Sequence, residues 1–176
     1  MYGREIISIS SLLKISSQAK TLFEYKQYLL AYEALEKSEG YFQQTLPNLI
    51  EAQKNGKNIN VKIPITNTKG QSSIPLIKKL SDSGLSLNIT AILTVDQVRE
   101  VQKALNPDVY NIVSVFAGRT ADTGRDPMPY MIECAKILKP LQNTDLLWAS
   151  SRELLNIFQA EQTGCQIITV TNDILK

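Results

Sequence analysis

Apolar and polar positions follow two different rhythms on either side of residue 57. In the first part Leu12, Ile15, Ala19, Leu22, Phe23, Leu29 and Leu30 recur close to the helical period with Glu and Lys between them, as on a helix with one buried face. This spacing predicts a long helix over roughly 10–38, a turn at Gly40 and a short helix around 47–54, ended by Gly56-Lys57-Asn58. From Asn58 the chain changes to short β-branched runs at 59–65, 86–93, 112–117, 144–149 and 166–171. Amphipathic segments separate them, and several helix ends are legible. Thr94-x-x-Gln97 and Ser150-x-x-Glu153 have the form of capping boxes, in which a hydroxyl and a carboxyl or amide satisfy free amides reciprocally. Asp126-Pro127 reads as an N-cap followed by proline at the first helical position, and Gly84 as a C-terminal cap. Strands about 20–32 residues apart with a helix between each pair predict consecutive β/α units and a parallel sheet. The expected organisation is a mainly helical segment over 1–57 followed by an α/β portion over 58–176.

Composition agrees with a folded chain and narrows its chemistry. With 176 residues, 43% apolar, 20% charged and a formal charge of +2, a real core is affordable and disorder is not expected. No Lys/Arg cluster points to nucleic acid or to an anionic membrane, and no apolar run approaches the roughly 18–20 residues that span a bilayer. Ser8, Ser10, Ser11 and Lys14 interrupt any signal-peptide core. A cytoplasmic protein is expected. The chain has no histidine, which excludes Ser-His-Asp and Cys-His nucleophilic machinery and nearly all zinc hydrolase sites. Two cysteines, Cys134 and Cys165, are too few for a disulfide framework or a four-ligand metal site.

Parallel α/β folds place reactive groups at the carboxyl ends of their strands. Those ends supply Lys62, Pro64 and Thr66, then Asn88 and Thr90, then Ser114 and Arg119, and finally Ser150 and Arg152. The lysine within Val61-Lys62-Ile63-Pro64-Ile65 is the oddest of these. A buried ammonium loses basicity and becomes the amine nucleophile that imine chemistry needs; a lysine near a strand start could equally carry its head group to solvent. Ser150-Ser151-Arg152 falls where an apolar strand meets a predicted helix start, and free amides, a hydroxyl and a guanidinium together suit a phosphate; the same residues also serve as an ordinary cap with an exposed arginine. Arg119 could join that anion site or pair with Asp122. Thr123-Gly124-Arg125-Asp126-Pro127 is a turn and cap, and Trp148 with Leu154, Leu155 and Phe158 is expected in the core.

Read in order, these strand ends resemble those of the transaldolase and fructose-6-phosphate aldolase family. Val61-Lys62-Ile63-Pro64-Ile65-Thr66 is similar to the strand that carries the family's Schiff-base lysine, and Leu87-Asn88-Ile89-Thr90 to the Asn-x-Thr strand that follows it. Val113 to Arg119 with Asp122 resembles the Ser-Pro-Phe-Val-Gly-Arg block, Val115 standing in place of its proline. Ala149-Ser150-Ser151-Arg152 resembles the Ala-Ser-Phe-Arg block, and Gly164-Cys165 through Thr171 the Ala-Gly-Cys strand. The resemblance implies a partial (β/α)₈ TIM barrel, family strands four to eight, covering 58–176. It implies a sugar-phosphate substrate, Lys62 as the imine-forming amine, Thr90 as a catalytic and Asn88 and Ser114 as substrate-binding residues, and Arg119, Ser150 and Arg152 on the phosphate. The implied reaction moves a dihydroxyacetone unit between sugar phosphates, of the pentose phosphate pathway type, and requires neither metal nor cofactor. Residues 1–57 match none of the acidic and amide residues of the family's first three strands, and the first aspartate in the chain is Asp82. A degenerate member that binds a phosphosugar or a partner chain without turnover is the alternative expectation. Open sheet edges would also allow a homo-oligomer.

Overall fold

The computed structural model describes residues 47, 49–54, 60–67 and 69–176. The long helix predicted over 10–38, the turn at Gly40 and the break at Gly56-Lys57-Asn58 lie outside the described residues. Residues 49–54 are helical, as expected, with Leu49 buried. The chain divides into two units, Met1–Lys62 and Ile63–Lys176.

Strands and helices alternate: β1 (Val61–Pro64), α1 (Ile74–Asp82), β2 (Leu87–Ile92), α2 (Val95–Ala104), β3 (Asn111–Val115), α3 (Ala117–Asp122), α4 (Pro127–Leu138), β4 (Thr144–Trp148), α5 (Leu155–Gln162) and β5 (Ile167–Ile168). The sheet order is β1-β2-β3-β4-β5. The pairs β2–β3, β3–β4 and β4–β5 are parallel. Every strand lies beside its neighbour in sequence. A doubly wound sheet reverses direction at a switch point, whereas one-way winding is that of a (β/α) barrel. The second unit is thus a portion of such a barrel.

Burial explains why the strands could be read as apolar runs. All five residues of β3 are buried, as a parallel strand covered on both faces requires. Its register with β4 runs unbroken from Asn111 opposite Thr144 to Val115 opposite Trp148. Between β2 and β3 the register slips between Ile89 and Ile92, where Ala91 adopts φ +61°. This bulge lies at the carboxyl end of β2, beside Thr90.

Most predicted helix ends are found. Thr94 and Gln97 form the full reciprocal capping box of α2. Asp126 accepts from the Met128 amide at 2.9 Å, with Pro127 at the start of α4. Gly84 takes φ +82° just past α1, and the amides of Gly84 and Leu85 donate to the carbonyls of Ser81 and Leu80. These two bonds define a Schellman cap, whose left-handed residue glycine adopts without a Cβ clash.

Two expectations fail around α5. No capping box forms at Ser150, because Ser150 sits at φ +64° and the helix starts only at Leu155, without a side-chain cap at Leu154. Leu154, Leu155 and Phe158 are not core either: they are 57%, 54% and 54% exposed. The inward stripe of α5 is instead Asn156 and Ala160, continued by Thr163, one residue every three or four along the helix. A polar and small inner face sends the large apolar side chains outward. Trp148, by contrast, is fully buried as expected.

Candidate active site

Two groups of the predicted residues lie along β2 and β3 and around the loop after β4; Asn88, expected at a carboxyl end, is the second residue of β2. In the first, Asn88 on β2 and Ser114 on β3 are 1% and 3% exposed. The Ser114 hydroxyl donates to Asn88 Oδ1 at 2.6 Å. Asn88 stands opposite Ile112, so alternation puts Ile112 and Ser114 on the sheet face that carries Asn88. Left without each other, such buried polar groups would cost about 1–3 kcal/mol apiece. The pair fixes which way the Asn88 amide faces. Thr90 is half-buried beside the bulge, and its carbonyl accepts from the Ile65 amide at 2.9 Å.

The second group brings α3 against the loop that follows β4. The Gly118 amide donates to the Ala149 carbonyl at 3.2 Å. A Cβ on Gly118 would lie 1.6 Å from the Ser150 carbonyl oxygen, so only glycine permits this approach. Ser150, with a left-handed backbone at a non-glycine residue, carries strain of roughly 1–3 kcal/mol that the surrounding contacts must hold in place. Ser151 Oγ donates to the Thr169 carbonyl at 2.7 Å. The Arg152 amide donates to Asn156 Oδ1 at 2.7 Å. Arg152 itself donates from Nε and Nη2 to the two carboxylate oxygens of Asp122 at 2.9 and 2.6 Å. The hydrogen bonds from Arg152, then the charges of Arg152 and Arg119, hold the Asp122 carboxyl below its ordinary pKa. Arg119 lies between the two anchoring positions of α3, Gly118 and Asp122, with its side chain exposed.

On its own strand, Lys62 is half-buried in β1. Burial lowers its pKa from the ordinary 10.5, since a desolvated ammonium gives up its proton more readily. The cysteines are different: burial pushes Cys134 up to about 12 and Cys165 up to about 11, the opposite of an activated thiol. A cavity of about 580 Å³ opens at the other end of the strands, by Thr144, Asp145 and Gln166, and takes in none of the candidate residues.

A profile of the Transaldolase/Fructose-6-phosphate aldolase family matches residues 44–176. The chain belongs to this family. It is similar to a probable transaldolase of Carboxydothermus hydrogenoformans, 34% identical over 127 residues, which cover 71% of this chain and 55% of that protein. A probable transaldolase of Dehalococcoides mccartyi is 35% identical over 126 residues, with the same 71% and 55% coverage. One from Nitrosopumilus maritimus is 29% identical over 122 residues, 68% of this chain and 51% of that protein. The chain therefore spans about half the length of the curated relatives it matches. Among the described residues, no helix is long and apolar enough to cross a membrane.

With the transaldolase/aldolase family in place, the strand-end residues can be compared with what sequence suggested. Asn88 and Ser114 meet directly. Arg152 and Arg119 share Asp122, one through hydrogen bonds and the other through charge alone. Arg152 does not sit on a helix start, and Ser150 contributes a strained backbone where a cap was expected. Three residues were missed in these roles. Asp122 was matched with Arg119, but it binds Arg152, 30 positions away. Asn156 holds the Arg152 amide from within α5, and its place among apolar residues was the one available signal. Gly118 was noted only as part of a motif, since its contact with Ser150 is tertiary.

Proposed function

We propose that this protein transfers a dihydroxyacetone unit between sugar phosphates through an imine on Lys62, as transaldolases do. Lys62 Nζ adds to the ketose carbonyl and water leaves, giving the imine. The C4 hydroxyl loses its proton, and the electron pair of the C3–C4 bond passes to the imine carbon–nitrogen unit, whose nitrogen gains a proton. The shorter aldose phosphate departs as the aldehyde, and the three-carbon unit stays on Lys62 as the enamine. Addition of that carbon to an acceptor aldehyde, followed by hydrolysis, returns the free amine. In this reading Asn88 and Ser114 hold a substrate hydroxyl or water, Thr90 contacts the water that serves the imine, and Arg119, Ser150 and Arg152 hold the phosphate.

The observation that supports the proposal is a half-buried lysine within β1, Lys62, whose basicity burial lowers, in a strand that resembles the one carrying the family's reacting lysine. A neutral amine is the nucleophilic form. The test is reductive trapping. The protein is incubated with fructose 6-phosphate, reduced with borohydride, digested and mapped by mass spectrometry. A stable adduct on Lys62 that is lost in Lys62→Arg is expected, and its absence at saturating substrate refutes the proposal. A coupled assay with an acceptor aldose phosphate then measures transfer.

A further inference from the structure

We infer that Asp122 is the positioning residue of the anion site, acting on the ligand only through Arg152. The inference rests on the sugar-phosphate reading and adds a residue to it.

The Asp122–Arg152 pair is partly exposed, at 45% and 42% of the two side chains. Pairs so exposed add little to stability. What a two-pronged bond does provide is orientation, because a planar guanidinium gripped along one edge cannot rotate. Asp122 occupies Nε and one position on Nη2. Three of the five N–H donors are left, and two of them, one on each terminal nitrogen, lie along the end-on edge as a second bidentate face.

Arg152 is held at its other end as well, by the Asn156 side chain on its amide. The loop carrying it is docked along α3 at two levels. Gly118 meets Ala149 and Ser150 at one level, and Asp122 meets Arg152 at the other. Arg119 lies between these anchors in sequence. The two guanidinium groups therefore come from segments locked together before any ligand arrives, and preorganisation of this kind reduces the entropic cost of binding.

The sign of one substitution separates this role from a plain charge effect. Asp122 is an anion beside a site for anions, so on charge alone its removal tightens phosphate binding. If Asp122 acts by holding Arg152, its removal weakens binding instead.

The probe is inorganic phosphate, titrated calorimetrically into the full chain at low ionic strength. Asp122→Ala is expected to weaken phosphate binding by about tenfold, and the isosteric Asp122→Asn, which keeps an acceptor but not the charge, by less. In an Arg152→Ala background, Asp122→Ala is expected to have no further effect, as a double-mutant cycle requires of a residue that acts through its partner. Equal or tighter binding by Asp122→Ala overturns the inference, as does the same loss in both backgrounds, which would mark a general structural role. A parent protein that does not bind phosphate overturns the sugar-phosphate reading and the inference together. Binding by the parent that is unchanged in Asp122→Ala overturns the inference alone.

Discussion

Replacing Gly118 with alanine tests the packing of the anion loop with the smallest perturbation available, one methyl group. The new Cβ would lie 1.6 Å from the Ser150 carbonyl oxygen and 2.7 Å from its carbonyl carbon. Both neighbours are backbone, so no side chain can turn aside. To reach even 3.0 Å from that oxygen, α3 and the loop must separate by about 1.4 Å, the difference between 3.0 and 1.6 Å. Such a movement strains the Gly118–Ala149 hydrogen bond and pulls the Asp122–Arg152 pair out of line. Overpacking of this kind costs about 1–3 kcal/mol, and the rigid neighbours place Gly118→Ala near the upper end. Helix propensity alone predicts the opposite sign, a gain of nearly 1 kcal/mol for alanine over glycine inside a helix. Trp148, the single tryptophan, is fully buried and reports unfolding by its fluorescence. Urea titrations of parent and variant should give a midpoint lowered by about 2–3 kcal/mol at constant slope. Phosphate affinity should fall in parallel. A variant as stable as the parent or more so, with unaltered phosphate binding, would show that α3 and the loop are not held at this distance.

Two further substitutions probe residues within the strands. Ser114→Ala leaves the buried Asn88 Oδ1 without its donor and should destabilise the protein by about 1–3 kcal/mol; a urea midpoint unchanged from the parent would contradict the hydrogen bond. Lys62 titrates at a lower pKa in the folded chain than its ordinary 10.5, so over that interval the unfolded chain binds more protons and stability rises with pH. The cost of the buried charge is fully present below the folded pKa and vanishes above 10.5. Lys62→Met should therefore be more stable than the parent near neutrality, with the difference shrinking as pH rises toward that value. Denaturation midpoints that differ by the same amount at every pH would rule out the perturbed lysine.

The parts that were legible in sequence are those governed by local chemistry or by uniform burial. β3 and β4 stand out because a covered parallel strand needs apolar residues on both faces, and the ends of α1, α2 and α4 because caps bond within three or four residues. What failed depended on contacts distant in sequence. Ser150-x-x-Glu153 fits a capping box as well as Thr94-x-x-Gln97 does, yet the close approach of Gly118 accompanies a left-handed Ser150, a conformation incompatible with a cap. Leu154, Leu155 and Phe158 look like core in any helical pattern, but Asn156 is turned inward to hold the Arg152 amide and the apolar residues face out. Arg152 and Asp122 were both in view, and 30 positions between them hid the pair. Ser114 and Arg119 were legible as residues at or just past the end of β3, whereas Lys62 and Asn88 lie second in their strands and the mutual orientation of the candidates was not legible.

The winding of the sheet also bears on how the chain reaches this structure. Because each strand pairs with the next one in sequence, every loop that must close is one helix, or two between β3 and β4, with its connections, and no pairing has to wait for a distant segment. Loop-closure entropy is then met in small, similar steps, and low contact order of this kind favours rapid folding. Growth can proceed from a β2–β3–β4 nucleus toward either edge, each added unit finding a finished template. The same locality makes the pairings severable: loss of an outer unit exposes an edge but leaves every inner pairing intact.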